Sequence, residues 1–193
     1  MEKINGWQQI VPVSGWRSLK EQQDIFKQSL KDNGRTFTQQ FVALPGKSEH
    51  QTGLAIDLGL KKESIDFIRP DFPYIGICQQ FREKSVPYGF IERYPREKEH
   101  ITGIAHEPWH FRYVGTPHAE IMREHHFCLE EYIDFLKRFS QDQPYTFYKD
   151  SQEIQIFYLK ADTESVSLEV AEDGSLSVSG NNVDGYIITE WRG

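Results

Sequence analysis

Ser48-Glu49-His50-Gln51-Thr52-Gly53-Leu54-Ala55-Ile56-Asp57 is the stretch from which the rest of this 193-residue chain is best read. Past Gly53, the apolar run Leu54, Ala55, Ile56, then Leu58 and Leu60, has the composition of a buried strand entered from a tight turn. That places His50 in the turn and Asp57 inside the strand. A lone carboxylate in a buried strand is costly without a positive partner. A metal ion shared with the imidazole seven positions upstream is the simplest such partner.

His106-Glu107-Pro108-Trp109-His110 offers the missing ligand. It matches the H-E-x-x-H pattern of helical zinc peptidases, which works because both histidines project from one helix face. Pro108 argues against a helix, since its ring would clash with the carbonyl four residues back and disfavour helical geometry at Glu107. The flanking Trp109, Phe111, Tyr113 and Val114 favour a strand. Glu107 and His110 would face opposite ways on a regular strand; a break at Pro108 lets both reach one cleft, with His106 pointing elsewhere. His50, Asp57 and His110 are then the ligands, with one position open for water. Two imidazoles and a carboxylate suit a catalytic zinc, and Glu107 is placed to serve as general base. The same donors can hold Fe(II) in a non-haem oxygenase, but the wide His50–Asp57 spacing and the ready base disfavour that reading. Taken singly, His50 would be a capping or packing residue, Asp57 a salt-bridge partner and Glu107 a solvated turn residue. His100, His118, His125 and His126 stand in polar, helix-end contexts and read as surface or packing residues.

Composition narrows the class. At 38% apolar and 13% aromatic the chain can build a real core. No window approaches the roughly 20 apolar residues of a membrane span. The polar N-terminal residues lack the apolar core of an export signal, so a cytoplasmic location is expected. Two cysteines, Cys78 and Cys128, make no disulfide framework and sit in no CxxC pair, so free buried thiols are expected rather than a thiolate metal site. The net charge of −7 is uneven: residues 144–193 carry three basic and nine acidic side chains. A nearly neutral body with an acidic tail is a poor binder of nucleic acid.

The expected elements begin with a short edge strand over 10–13, limited by Pro12. Ser18 caps a helix from Leu19 to about Lys31, with Glu21 completing a capping box; Leu19, Gln22, Gln23, Phe26 and Leu30 share a face, and Asn33-Gly34 ends it. Residues 37–44 are helical or extended. A helix over 74–84, strands over 88–94 and 111–114, and helices over 117–125 and 129–139 follow. Beyond Pro144 the pattern changes to period two, with strands over 154–159, 166–170 and 186–191 and turns at Asp173-Gly174, Gly180-Asn181-Asn182 and Asp184-Gly185. The expectation is an α+β fold: a central antiparallel sheet flanked by helices over 1–142, with a small C-terminal all-β appendage over 143–193.

Ser48-x-His50-x-x-Gly53-x-Ala55-x-Asp57 with Glu107-x-x-His110 resembles the signature of the VanX/VanY-type D-alanyl-D-alanine peptidases. The likeness extends to Ser14-Gly15-Trp16-Arg17-Ser18, where the family usually has Tyr for Trp16, to Tyr88-Gly89-Phe90-Ile91 with Arg93-Tyr94, and to Gly103-Ile104. It covers roughly residues 10–140, and the tail looks like the extension of bifunctional VanXY-type members. The resemblance implies a zinc carboxypeptidase or dipeptidase acting on D-Ala-D-Ala or on peptidoglycan precursor peptides. It implies His50, Asp57 and His110 as zinc ligands, Glu107 as base, and Arg17 as the cation that stabilises the oxyanion. It also implies Ser48 as a hydrogen-bond donor to the substrate's carboxylate and Trp109 as a pocket wall. One departure is that the segment which usually precedes the Ser-Gly-Tyr-Arg turn and covers the cleft is nearly absent here. A non-catalytic zinc module that binds wall peptides is the alternative, and the retained Glu107 argues against it.

Overall fold

The structure, a computed structural model, describes residues 1–162, 165, 168 and 174–192. The strand expected over 166–170 lies mostly outside that set, as does Asp173 of the expected turn. The chain divides into two compact units, Met1–Cys128 and Leu129–Gly193. The boundary expected at 142/143 thus falls inside the second unit.

The first unit is built on a four-stranded antiparallel sheet of β1 (Ile10–Ser14), β2 (Ala55–Leu60), β3 (Phe90–Tyr94) and β4 (Glu107–Tyr113), in the order β1-β2-β4-β3. Pro12 sits on the edge strand β1, where its missing N–H costs least. Strand alternation divides β4 into two faces. Trp109 and Phe111 enter a core with Ile10, Leu58, Phe72 and Cys78. The rings of Phe72 and Phe81 meet Phe111 edge-on at 5.5 and 4.9 Å. His110 and Arg112 take the alternate positions, and the site grows from that face.

Four helices accompany this sheet: α1 (Leu19–Phe41), α2 (Gly76–Ser85), α3 (Glu99–Thr102) and α4 (His118–His125). The capping box at α1 is present as expected, with the Ser18 hydroxyl accepting from the Glu21 N–H and the Glu21 carboxylate accepting from the Ser18 N–H. Gly34 does interrupt the helix, at φ 78° and ψ 173°, but the chain re-enters helical geometry and runs on to Phe41. The expected face is buried only in part: Gln22 is buried and Gln23 and Phe26 half-buried, while Leu19 and Leu30 are exposed. Ser29 and Thr38, outside that face, are buried as well. Hydrogen bonds explain the buried polar positions: Ser29 and Thr38 bond each other at 2.8 Å across the kink, and Gln22 donates to the Ala43 carbonyl at 2.8 Å.

The second unit holds α5 (Leu129–Leu136) and a sheet of β5 (Tyr145–Lys149), β6 (Gln152–Lys160), β7 (Ser175–Gly180) and β8 (Gly185–Arg192), in the order β5-β6-β8-β7. The helix groups with these strands because its aromatic residues do: Phe135 packs on Tyr145 at 5.2 Å, and Phe139, just beyond the helix, on Tyr145 at 5.3 Å. β5 is absent from the sequence reading. Its hairpin to β6 turns through Asp150 and Ser151, at φ 50° and 67°, the positive-φ pair of a type I′ turn made without glycine. The Asn181 side-chain oxygen accepts from the N–H groups of Val183, Asp184 and Gly185 and so shapes the β7–β8 turn.

Candidate metal centre

His50 lies in a 3-10 turn, Glu49–Thr52, closed by Gly53 at φ 75°, a conformation glycine adopts without strain. Its Nδ1 is 2.7 Å from the carbonyl oxygen of Gly15. A carbonyl only accepts, so Nδ1 carries a proton and Nε2 is the nitrogen left for another partner. That Nε2 faces Asp57 Oδ2 at 3.2 Å. Asp57 stands directly opposite His110 in the β2–β4 ladder, with Oδ1 2.8 Å from His110 Nδ1. One donor atom from each of His50, Asp57 and His110 lies within 4.8 Å of the others, and all three residues are buried.

Glu107 joins them through a strand irregularity. Between the pairs Glu92–Phe111 and Tyr94–Glu107, β4 uses three intervening residues and β3 only one. The two extra residues of β4 lie between Glu107 and Phe111, the span that contains Pro108. Glu107 Oε2 lies 3.9 Å from His110 Nδ1 despite the odd spacing. The strand itself continues through Pro108, so the proline coincides with a register irregularity and not with a break in the strand. Arg82 donates to the Pro108 carbonyl at 2.7 Å. His106 turns away, 2.7 Å from the Tyr74 hydroxyl.

Arg17 follows the Ser14-Gly15 turn, and its guanidinium reaches Ser14 at 2.7 Å, Gln22 at 3.3 Å and Asp57 Oδ2 at 2.9 Å. Ser48, Trp109 and Phe67 join it in lining the cleft over the cluster, with Phe41 and Ile104 completing the apolar wall. Trp109 belongs both to this wall and to the core.

The electrostatics are polarised. Burial pushes the Glu107 carboxyl up to about 8, with His110 opposing and Asp57 adding to the rise. Burial also works against charge on His110, but the carboxylates of Asp57, hydrogen-bonded at Nδ1, and of Glu49, 3.6 Å from Nε2, outweigh this and push it up to about 9. At Asp57 burial favours the neutral acid, yet hydrogen bonds from His110 and His50 hold it well below the usual carboxylate range. Two imidazoles and a strongly acidic carboxylate, with one ring tautomer already fixed, make a donor set that fits a divalent transition metal.

Four neighbours were given no role from the sequence: Glu49 and Arg112, and Arg93 and Tyr94, which entered only as part of the family likeness. Glu49 Oε1 accepts from Arg93 Nε at 2.8 Å and lies 3.1 Å from Arg112 Nη1. Its Oε2 faces His110 Nε2 at 3.6 Å. The Tyr94 ring lies 5.1 Å from that of His110. The one available signal was an acidic residue immediately before a candidate ligand.

Residues 3–116 match the family described as VanY, D-alanyl-D-alanine carboxypeptidase. The bifunctional D-Ala-D-Ala dipeptidase and D-Ala-D-Ala carboxypeptidase VanXYC of Enterococcus gallinarum is 54% identical over 125 residues, 64% of this chain and 66% of that protein. A crystal structure of the vancomycin resistance D,D-dipeptidase VanXYg, in complex with a D-Ala-D-Ala phosphinate analog, superposes with a TM-score of 0.96 at 56% identity, over 99% of this chain and 76% of that one. A mutant of the vancomycin resistance D,D-pentapeptidase VanY from a VanB-type resistance cassette, in complex with Zn(II), gives a TM-score of 0.55 at 34% identity, over 64% of this chain and 71% of that one. The chain spans about half to two thirds of the length of the curated relatives it matches.

Proposed function

The chain belongs to the VanY family of D-alanyl-D-alanine carboxypeptidases, and from that premise we propose that it is a zinc-dependent D,D-peptidase. Its substrate is a D-Ala-D-Ala terminus, as the free dipeptide, as the end of a peptidoglycan precursor peptide, or both. The observation that carries this reading is the convergence of His50, Asp57 and His110 within 4.8 Å, with the buried carboxyl of Glu107 beside them.

His50 Nε2, Asp57 and His110 Nδ1 would hold the zinc. Bound there, zinc supplies Lewis-acid polarisation of the scissile carbonyl and makes a water molecule more acidic. Glu107 takes the proton from the attacking water and returns it to the leaving amine. Its carboxyl, 3.9 Å from His110 Nδ1 in the buried site, is placed for that exchange. Arg17, oriented by Ser14 and Gln22, faces the negative charge that develops on the carbonyl oxygen. Ser48 donates to the substrate's terminal carboxylate, and Trp109 forms a wall against the D-alanine side chain. No helix among the described residues is long and apolar enough to cross a membrane. Cys78 and Cys128 are both buried.

The test is release of D-alanine from D-Ala-D-Ala and from a precursor pentapeptide by zinc-loaded protein. Glu107→Ala should retain zinc while turnover falls by about 10²–10⁴-fold, the usual loss for a missing proton shuttle. A mutant as active as the parent would remove Glu107 from this role. Zinc binding with no cleavage of either substrate by the parent would leave a peptide-binding module instead.

A further inference from the structure

Glu49 is the group at this site that the proposed reaction does not use. Its side chain, 14% exposed, packs against two guanidinium groups that are buried: the Arg93 and Arg112 side chains are 8% and 7% exposed. Both cations converge on one carboxylate oxygen, Oε1. The other oxygen, Oε2, and His110 Nε2 are buried side-chain atoms without a hydrogen bond among the described residues. They face each other at 3.6 Å. Two buried unsatisfied atoms of opposite character rarely stand together by accident, since each alone is costly to leave unpaired. A shift of about half an ångström would join them.

We infer that Glu49 is a positioning residue for the metal centre, accepting the His110 Nε2–H so that His110 presents Nδ1 to the metal. The inference rests on the zinc reading above and goes beyond it. An imidazole with one ring nitrogen committed as a donor must offer the other as a lone pair, and a carboxylate partner raises the basicity of that lone pair. The two halves of the site then use parallel devices. The Gly15 carbonyl holds His50 Nδ1–H and frees Nε2; Glu49 holds His110 Nε2–H and frees Nδ1. Arg93 and Arg112 anchor Oε1, which leaves Oε2 aimed at the ring, while Tyr94 limits the ring's rotation. One short turn therefore delivers a ligand at His50 and, from the residue before it, the support for a ligand on another strand. Glu49 itself stands outside the three-residue ligand cluster.

The test measures zinc affinity of Glu49→Gln and of the parent by competition with a chromophoric chelator, with folding of each verified by circular dichroism. Gln keeps the side chain's volume but removes the charge. The expected result is zinc affinity weakened by about 10–100-fold in a folded variant, the range usual for loss of such a partner. An affinity within twofold of the parent would overturn the inference while leaving the zinc reading intact. A parent that binds no zinc would overturn both. A second measurement needs no variant: in zinc-loaded parent protein, ¹⁵N-correlated NMR should show His110 Nε2 protonated, with a downfield, slowly exchanging proton. A metal-bound, unprotonated Nε2 would equally overturn the inference.

Discussion

The two sheets of this molecule share one strand order and differ in regularity. In both, the first strand pairs with the second, the second with the fourth and the fourth with the third. The second sheet keeps an unbroken register of eight pairs between β6 and β8, and its buried positions include Ile154, Ile156, Phe157, Ile187 and Ile188. The first sheet shifts register twice, between Pro12 and Ser14 and between Glu92 and Tyr94. Its buried positions include Asp57, Arg93, Glu107, His110 and Arg112. The same topology thus serves two ends. In the second sheet the register is continuous and the buried set is mainly apolar, with Thr189 and Glu190 the polar members on β8. In the first, where charged groups converge, the ladder is interrupted and each buried charge is matched by another.

The comparison breaks most severely if a metal ligand is removed. Asp57→Asn should lose zinc and with it nearly all turnover, while the parent emptied by a chelator should recover its rate when zinc is restored; metal analysis alongside D-alanine release checks both. In the regular sheet the corresponding injury is purely structural. Ile188→Ala, at a fully buried position, should cost about 2–5 kcal/mol of stability. Chemical denaturation reads that loss, and zinc affinity of the folded fraction should stay at the parental value, because every candidate ligand lies in the first unit.

A pH series sharpens the contrast. His110 in the metal-free protein is raised from 6.5 to about 9, and Glu107 from 4.5 to about 8. Both groups hold protons more tightly folded than unfolded, so their contribution is full at low pH and lost as pH rises. Glu107's share fades between about 4.5 and 8, and His110's between about 6.5 and 9. Asp57 and Glu49 are depressed, so theirs is present above the ordinary carboxylate range and lost on acidification. Metal-free protein should therefore lose melting temperature from near pH 6.5 to pH 9. Zinc competes with the His110 proton, so its affinity should climb through the same window. A flat profile in both measurements would contradict the assigned electrostatics. The smallest effect belongs to the β5–β6 hairpin. Ser151→Gly, at φ 67°, should stabilise by a few tenths to about 1 kcal/mol, since glycine meets that backbone without strain. Thermal denaturation would detect it.

These differences also explain what the sequence could reveal. The turn-to-strand reading of His50 and Asp57 and the capping box at Ser18 rest on local chemistry, and both are present. Pro108 could be read as an irregularity because its effect is covalent, although the strand continues through it. The inward face of α1 was legible at Gln22 but not at Ser29 and Thr38, which are buried through a mutual hydrogen bond that hydrophobic periodicity does not register. The β5 hairpin escaped because Asp150-Ser151 adopts positive φ without the glycine that usually marks such a turn. The place of α5 depended on aromatic contacts from Phe135 and Phe139 to Tyr145, set by tertiary packing rather than by linker composition. Glu49 was invisible for a related reason: its partners, Arg93, His110 and Arg112, lie more than forty residues away.

Crystals of the parent protein grown with zinc, with anomalous scattering recorded at the zinc edge, test the central claim most directly. The account predicts one strong peak about 2.0–2.2 Å from His50 Nε2, an Asp57 oxygen and His110 Nδ1, with Glu107 beside it but not bound. A peak at any other cluster, or none at this one, would contradict it.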